Sequence, residues 1–149
     1  MVAAGFSTLR QITTMEAIKM KKILLCEDDP DIQASLKNIL GKHGYEAHAA
    51  RDGEEALSLA TKINPDLILL DIRMPKLDGL EVAGEIRKHN TQTKIIFVTA
   101  FQSPELINEA AKYDIFDYII KPAPPEKILK AIEDALRARV VHANPEPTA

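Results

Sequence analysis

The stretch Leu67-Ile68-Leu69-Leu70-Asp71-Ile72-Arg73-Met74-Pro75 decides the fold predicted for this chain. It begins with an apolar run of strand length, which is typical of a strand buried on both faces of a parallel sheet. The run ends in a carboxylate, Asp71. An isolated aspartate at a strand end commonly belongs to a turn, but ligands of open α/β sheets also bind outside the carboxyl ends of the strands. The role of Asp71 therefore depends on the residues at the other strand ends.

Outward from this stretch, strand-length runs alternate with segments of helical periodicity. Strands are predicted at residues 22–26, 45–50, 67–70, 94–99 and 117–120. A helical segment follows each strand: Asp52 and Ser103 are predicted N-caps, the third helix covers 80–90, the fourth reaches 113, and the last fades near Arg139. Because parallel strands need crossover connections, this order predicts an α/β fold, a doubly wound five-stranded parallel sheet, (βα)5, with strand order 2-1-3-4-5.

The bulk composition predicts a single globular domain. The chain has 149 residues, of which 46% are hydrophobic and 28% charged, an ordinary balance for one domain. A net charge of −3 without any block of Lys and Arg gives no reason to expect direct nucleic-acid binding. No apolar run approaches the roughly 20 residues that span a bilayer, so we expect no membrane insertion. The single cysteine, Cys26, is predicted to be a core residue in a reducing compartment, the cytoplasm.

The two ends of the chain lie outside the repeating pattern. Residues 1–20 show neither a complete helical stripe nor a secretory cleavage site, which predicts a loosely ordered N-terminal extension. Residues 140–149 are predicted to be a disordered tail. The domain itself is expected at residues 21–139.

Acidic residues end two strands that the predicted order makes neighbours. Glu27-Asp28-Asp29 ends the first strand, and Asp71 ends the third. Carboxylates at a shared site repel one another, and a divalent cation relieves the repulsion. Oxygen ligands without a nearby His or Cys suit Mg²⁺, or Mn²⁺, better than Zn²⁺. The sequence therefore predicts a magnesium site at this edge of the sheet.

A hydroxyl and an ammonium reach the same edge. Thr99 ends the fourth strand and Lys121 follows the fifth. Lysine offers a point charge for phosphate oxygens, and threonine offers a hydroxyl donor. Together with the acidic residues, they predict a site for a phosphoryl group.

This constellation resembles the receiver domain of the two-component response-regulator family. The match covers residues 21–139, and its most specific part is the stretch Leu69 to Pro75 with Asp78-Gly79. The resemblance implies a flavodoxin-like fold. It also implies a phosphorylation-dependent switch that catalyses only its own phosphorylation and dephosphorylation, rather than an enzyme with a separate substrate.

The resemblance assigns roles around the phosphorylation site. Asp71 corresponds to the phosphoacceptor, and Glu27 and Asp28 to the acidic pair that holds Mg²⁺. Asp71 itself and the backbone carbonyl of Arg73 would complete the protein ligands of the metal. Lys121 corresponds to the lysine that contacts the phosphate.

Two further residues correspond to the switch. Thr99 matches the hydroxyl that moves toward the phosphate, and Tyr118 matches the aromatic residue that turns inward. The peptide bond between Lys121 and Pro122 is expected to be cis, in keeping with the near restriction of cis bonds to proline.

The implied partners follow from this chemistry. The phosphoryl group would come from a phosphohistidine on a sensor histidine kinase or a histidine phosphotransferase. Phosphorylation would change the face formed by the fourth helix, fifth strand and fifth helix, and this face would control an unknown downstream protein. The same face is a candidate homodimer surface.

Some residues depart from the common family pattern. Glu27 replaces the more usual aspartate but still supplies a carboxylate, and Ala123 stands where phenylalanine is frequent. Asp114 stands where glycine often ends the fourth helix, so we expect a left-handed residue there to be strained or moved. Phe101 borders the expected path of the attacking water, and its bulk predicts slow autodephosphorylation.

Alternatives remain open from the sequence. A stand-alone receiver is favoured, and the close alternative is the receiver part of a longer regulator with a DNA-binding or enzymatic output domain, from which length alone does not separate it. A Mg²⁺-dependent phosphohydrolase would carry an acid two residues after the nucleophile, where this chain has Arg73. A flavin-binding module would need a phosphate-binding loop where Glu27-Asp28-Asp29 would repel phosphate.

Overall fold

Strands and helices alternate along residues 20–138, which the computed structural model describes. The strands are β1 (Lys22–Cys26), β2 (Glu46–Ala50), β3 (Leu67–Leu70), β4 (Lys94–Thr99) and β5 (Asp117–Ile120). The helices are α1 (Pro30–Lys42), α2 (Gly53–Ile63), α3 (Gly79–His89), α4 (Pro104–Ala111) and α5 (Pro125–Arg137). Residues 1–19 of the predicted extension and the whole predicted tail lie outside the described residues. Within residues 20–138, no helix has the length and apolar character needed to cross a membrane.

The strands form one parallel sheet in the order β2-β1-β3-β4-β5. The predicted doubly wound α/β fold and its strand order are thereby confirmed. At the carboxyl edge, Cys26 is in register with Leu70, and Thr99 with Ile120. The residue after β1 therefore lies beside the residue after β3, and this register builds the site.

Each face of the sheet has its own apolar core. Alternate strand residues point to opposite faces, which explains why the strands read as continuous apolar runs. One face carries Leu24, Cys26, Ile68, Leu70 and Phe97 under α2, α3 and α4, whereas the other carries Ile23, Leu25, Leu67, Leu69 and Ile96 under α1 and α5. Cys26 is a buried free cysteine, as predicted, and burial raises the pKa of its thiol above the ordinary value.

Local hydrogen bonds set the ends of the helices. The predicted caps are confirmed, because Asp52 accepts a bond from Glu55 N and Ser103 accepts one from Leu106 N. Helix α3 begins one residue earlier than predicted, since Asp78 and Glu81 form a capping box.

Helix α4 and strand β2 also have other bounds than predicted, because residues next to them donate hydrogen bonds to the carbonyls of a helix end. Helix α4 ends at Ala111 instead of residue 113, because the N–H groups of Lys112 and Tyr113 bond three residues back and tighten the chain into a turn. Strand β2 begins at Glu46 instead of residue 45, because Tyr45 N donates to Leu40 O at the end of α1.

Asp114 keeps a left-handed conformation, with φ 56°. The sequence left open whether this turn would be strained in place or moved, and the structure keeps it in place. The guanidinium of Arg87 holds it there: Nη2 lies 2.9 Å from Asp114 O, and Nε lies 2.7 Å from Tyr113 O. Nη1 of Arg87 also donates to Asn90 O and Thr93 O. Partial burial lowers the pKa of Arg87, and the charge of Asp114 opposes this shift.

Replacing Arg87 by methionine should lower the free energy of unfolding by about 2–4 kcal/mol, because four carbonyl groups lose a charged donor. The measurement is urea denaturation at neutral pH. Lys88→Met is the matched control, since Lys88 makes an exposed ion pair with Glu85, and its cost should stay within about 0.5 kcal/mol. Equal effects of the two substitutions would contradict this assignment for Arg87.

Candidate functional site

Three sequence-predicted residues meet at the carboxyl edge of the sheet. Glu27 follows β1, Asp71 follows β3, and Lys121 follows β5. The Nζ atom of Lys121 lies 2.7 Å from Glu27 Oε1 and 2.8 Å from Asp71 Oδ2. One ammonium therefore joins the ends of three strands.

This ion-pair triad is largely shielded from solvent. Only 4% of Glu27 and 8% of Asp71 is exposed. Burial lowers the pKa of Lys121, but its hydrogen bonds to Asp71 and Glu27 and their charges outweigh burial, so the pKa lies above its ordinary value. Lys121 therefore stays protonated at neutral pH, and its charge offsets the repulsion between two carboxylates that the fold brings together.

The acidic loop, residues 27–29, is tied down on both sides of Asp28. Glu27 Oε2 accepts a hydrogen bond from Asp29 N at 3.0 Å. The Asp29 side chain caps α1 by accepting bonds from Asp31 N and Ile32 N. Asp28 lies between these anchors and is exposed, so the structure does not bring it into the triad.

The donor atoms of the site suit a hard cation, since Glu27, Asp28 and Asp71 offer carboxylate oxygens at one sheet edge. The side chains are arranged around Lys121 rather than around a common metal position. Among residues 20–138, no three acidic, His or Cys side chains are grouped so that they could hold a metal ion. Arg73 lies next to the site, and its N–H lies 3.3 Å from Asp71 Oδ1.

Phe101 joins the two predicted switch residues. Thr99 is fully buried, and its Oγ1 accepts a long hydrogen bond from Phe101 N at 3.4 Å. The hydroxyl of Tyr118 donates to Phe101 O at 2.6 Å. Burial and the charge of Asp71 raise the pKa of Tyr118, so its hydroxyl is a donor at neutral pH. The Arg73 guanidinium lies 4.8 Å from the centroid of the Phe101 ring, a cation–π contact.

The loop between β3 and α3 is held close to Asp71 by glycines. Gly79 N donates to Ile72 O at 2.7 Å, and a Cβ atom at Gly79 would lie 2.3 Å from Asp71 O. Gly53 at the start of α2 donates to Pro75 O. The left-handed residue Lys76, with φ 73°, places its ammonium 3.6 Å from Asp52 Oδ2.

The contact of Gln33 with the acidic loop was not predicted from the sequence. Gln33 in α1 places its Nε2 atom 2.9 Å from Glu27 O and 3.2 Å from Ala50 O. A polar residue in an early helical turn is ordinary on a solvated face, and only the folded backbone shows that it points inward. The expected cis peptide bond between Lys121 and Pro122 is present.

The family comparison agrees with the fold. The model of the response regulator receiver domain matches residues 23–133. Chemotaxis protein CheY of Thermotoga maritima is 34% identical over 113 residues, which cover 75% of this chain and 94% of that protein. Regulatory protein AtoC of Escherichia coli is 36% identical over 118 residues, which cover 79% of this chain and 26% of AtoC.

The structural comparison gives the same result. A CheY-like receiver domain protein from Methanospirillum hungatei superposes with a TM-score of 0.78 at 32% identity, covering 80% of this chain and 95% of that one. The chain belongs to the response-regulator receiver family of two-component signalling. Receiver domains are phosphorylation-dependent switches, and the family generally binds Mg²⁺ at its phosphorylation site. This chain spans 26% of the length of AtoC, and 49% and 60% of the lengths of the transcriptional regulatory proteins RprY of Bacteroides fragilis and PdtaR of Mycobacterium tuberculosis, which it also matches.

Gly79→Ala should destabilise the fold by about 1–3 kcal/mol, because the added methyl group would overlap the backbone of Asp71. Thermal and urea denaturation would measure the loss. Gly41→Ala is the matched control: it lies within α1, where a Cβ atom would meet nothing within 4 Å, and it should stabilise the protein by about 0.5–1 kcal/mol. If both variants gained stability, the contact between Gly79 and the backbone of Asp71 would not require a glycine at position 79.

Proposed function

We propose that Asp71 accepts a phosphoryl group from a phosphohistidine and that this modification switches the domain. The observation that carries the proposal is the bridge from the Lys121 ammonium to Asp71 Oδ2 at 2.8 Å, at the carboxyl edge of β3. A cation already bonded to the nucleophile is well placed to stabilise charge on the transferred group.

The transfer step is a substitution at phosphorus. A carboxylate oxygen of Asp71 forms a bond to phosphorus while the bond from phosphorus to the histidine nitrogen breaks, and the imidazole takes the electron pair of that bond. Phosphoryl transfer depends mainly on positioning and charge stabilisation. Lys121 supplies one positive charge, and hydrolysis of the resulting acyl phosphate resets Asp71.

The second positive charge in this proposal comes from Mg²⁺, with Mn²⁺ as a substitute. Glu27, Asp28 and Asp71 would hold the ion together with the backbone carbonyl of Arg73. Bound there, the cation would neutralise charge on the phosphoryl oxygens. The exposed Asp28 side chain is the ligand with freedom to turn toward the site, because its neighbours Glu27 and Asp29 are tied down by hydrogen bonds.

The switch in this proposal runs through Thr99, Phe101 and Tyr118. Phosphorylation adds about 1.5 to 2 negative charges and new acceptor oxygens, and Thr99 supplies the nearby hydroxyl. Movement of Thr99 would break its contact with Phe101 N, and Phe101 O already holds the Tyr118 hydroxyl. The rearrangement would therefore spread to the face formed by α4, β5 and α5.

This face is the proposed surface for the downstream protein and the candidate surface for a homodimer. It carries two exposed large apolar residues, Ile107 on α4 and Phe116 just before β5. The phosphoryl donor would be a sensor histidine kinase or a histidine phosphotransferase, and we place the reaction in the cytoplasm. A stand-alone regulator and the receiver of a longer one share this mechanism, and the described domain supplies no direct contact with nucleic acid in either case.

The test of Asp71 is intact mass after incubation with Mg²⁺ and acetyl phosphate. The wild-type protein should gain the mass of one phosphoryl group, and Asp71→Asn should gain none because its amide is not a nucleophile. Asp134→Asn, on the exposed side of α5 with Lys130 as its partner, should be phosphorylated like the wild type. A mass gain that persists in Asp71→Asn would place the modification elsewhere, and an unmodified wild type would refute the proposal.

The lifetime of the phosphoryl group tests the role of Phe101. Its ring packs against the Arg73 guanidinium, and its backbone carbonyl accepts the bond from the Tyr118 hydroxyl, so the ring should hinder the attacking water. We expect a half-life of minutes or longer after removal of the donor, and a severalfold shorter one in Phe101→Ala. Loss of phosphoryl mass over time measures both, and decay of the wild type within seconds would contradict the expectation.

A further inference from the structure

The side-chain amide of Gln33 joins the acidic loop to the end of β2. Both groups that face Nε2, Glu27 O and Ala50 O, are carbonyl acceptors, so the amide nitrogen, which has two N–H donors, must point toward them. Ala50 O also accepts a bond from Glu27 N at 3.1 Å. Glu27 is therefore held through its N–H, its carbonyl and its carboxylate.

These bonds fix the backbone on the amino side of Asp28. On its carboxyl side, Asp29 is fixed as the cap of α1. The backbone of Asp28 is therefore held on both sides by hydrogen bonds, whereas its side chain is exposed. Three side chains hold the acidic loop in place: Gln33, Asp29 and Lys121. Gln33 is the uncharged one of the three, so its replacement by an apolar residue leaves the net charge of the site unchanged.

We infer that Gln33 is a positioning residue for the cation site: it holds the backbone of Glu27, and through it the backbone of Asp28, from which the Asp28 carboxylate can turn toward a divalent cation shared with Asp71. The inference rests on the proposed function, because it assigns Glu27 and Asp28 to the metal. Mg²⁺ demands a strict ligand geometry at short distances. A loop that shifts when Gln33 is removed should therefore bind the ion less tightly.

The decisive experiment compares Gln33→Leu with the wild type by titration calorimetry with MgCl₂ alone, without a phosphodonor. Loss of an outer partner of a metal ligand typically costs about 10-fold or more in metal affinity, and we expect a loss of about that size. In acetyl phosphate reactions followed by intact mass, the Mg²⁺ concentration for half-maximal rate should rise in parallel. The rate at saturating Mg²⁺ should stay close to that of the wild type.

The matched control is Gln92→Leu, the same change at an exposed glutamine at the opposite edge of the sheet, and it should bind Mg²⁺ like the wild type. Gln33→Met serves as a second variant if Gln33→Leu does not fold, as judged by circular dichroism. Mg²⁺ affinity within twofold of the wild type in a folded Gln33 variant would overturn the inference. A lower rate at every Mg²⁺ concentration with unchanged half-saturation would also overturn it, since that is a general structural defect.

The two proposals fail in distinguishable ways. A wild-type protein that binds Mg²⁺ but shows no mass gain refutes phosphorylation of Asp71 and leaves the calorimetric comparison at Gln33 valid. A wild-type protein that is phosphorylated, with Gln33→Leu unaltered in both measurements, refutes only the role of Gln33. A wild-type protein that shows no Mg²⁺ binding overturns the inference directly.

Discussion

The bridge from Lys121 to Glu27 and Asp71 is the interaction on which the rest of the site depends. The sheet order places the buried carboxylates of Glu27 and Asp71 at neighbouring strand ends, where they would repel each other without a cation. Neighbouring strands lie about 4.8 Å apart, so β5 is roughly 10 Å from β3. A long, flexible cation is suited to span this distance, and the stem of lysine provides the length. Its ammonium then lies 2.8 Å from Asp71 Oδ2, next to the proposed nucleophile.

A second constraint comes from the proposed switch, which needs the same edge to hold a fixed part and a part that moves. The fixed part relies on hydrogen bonds to the backbone: Gln33 holds the loop after β1, and Gly79 holds the loop after β3. The part that moves consists of side chains around Phe101, where the bond to Thr99 Oγ1 is long at 3.4 Å. In the proposed switch, the Thr99 hydroxyl gains a phosphoryl oxygen as its acceptor, and the long bond from Phe101 N is the one that gives way. The proposed division between anchor and switch therefore follows the lengths of the hydrogen bonds, since Gln33 Nε2 lies 2.9 Å from Glu27 O and Gly79 N lies 2.7 Å from Ile72 O.

The sequence predicted the strands, their order and the residues at the strand ends, because apolar periodicity and turn residues are local signals. It placed Asp71 and Lys121 at one edge, and the structure shows them in contact. It could not predict that Asp28 stays apart from the triad, because that depends on the loop backbone. Nor could it predict Gln33, whose contacts join residues that are distant along the chain. The proposed switch was also incomplete from sequence, since Phe101 bonds to Thr99 and Tyr118 through its backbone N–H and carbonyl, which every residue type except proline carries.

Asp114 shows how a departure from the family pattern is accommodated. A non-glycine residue in the left-handed region costs free energy, and aspartate is among the residues that tolerate it best. Arg87 lowers the remaining cost by binding the Asp114 carbonyl, and it also binds the carbonyl of Tyr113 beside it. The same guanidinium thereby fixes the entry to β5 from the α3 side, outside the proposed α4, β5 and α5 surface. In the proposed switch, a rearrangement at Tyr118 would therefore begin in a strand whose entry Arg87 holds in place.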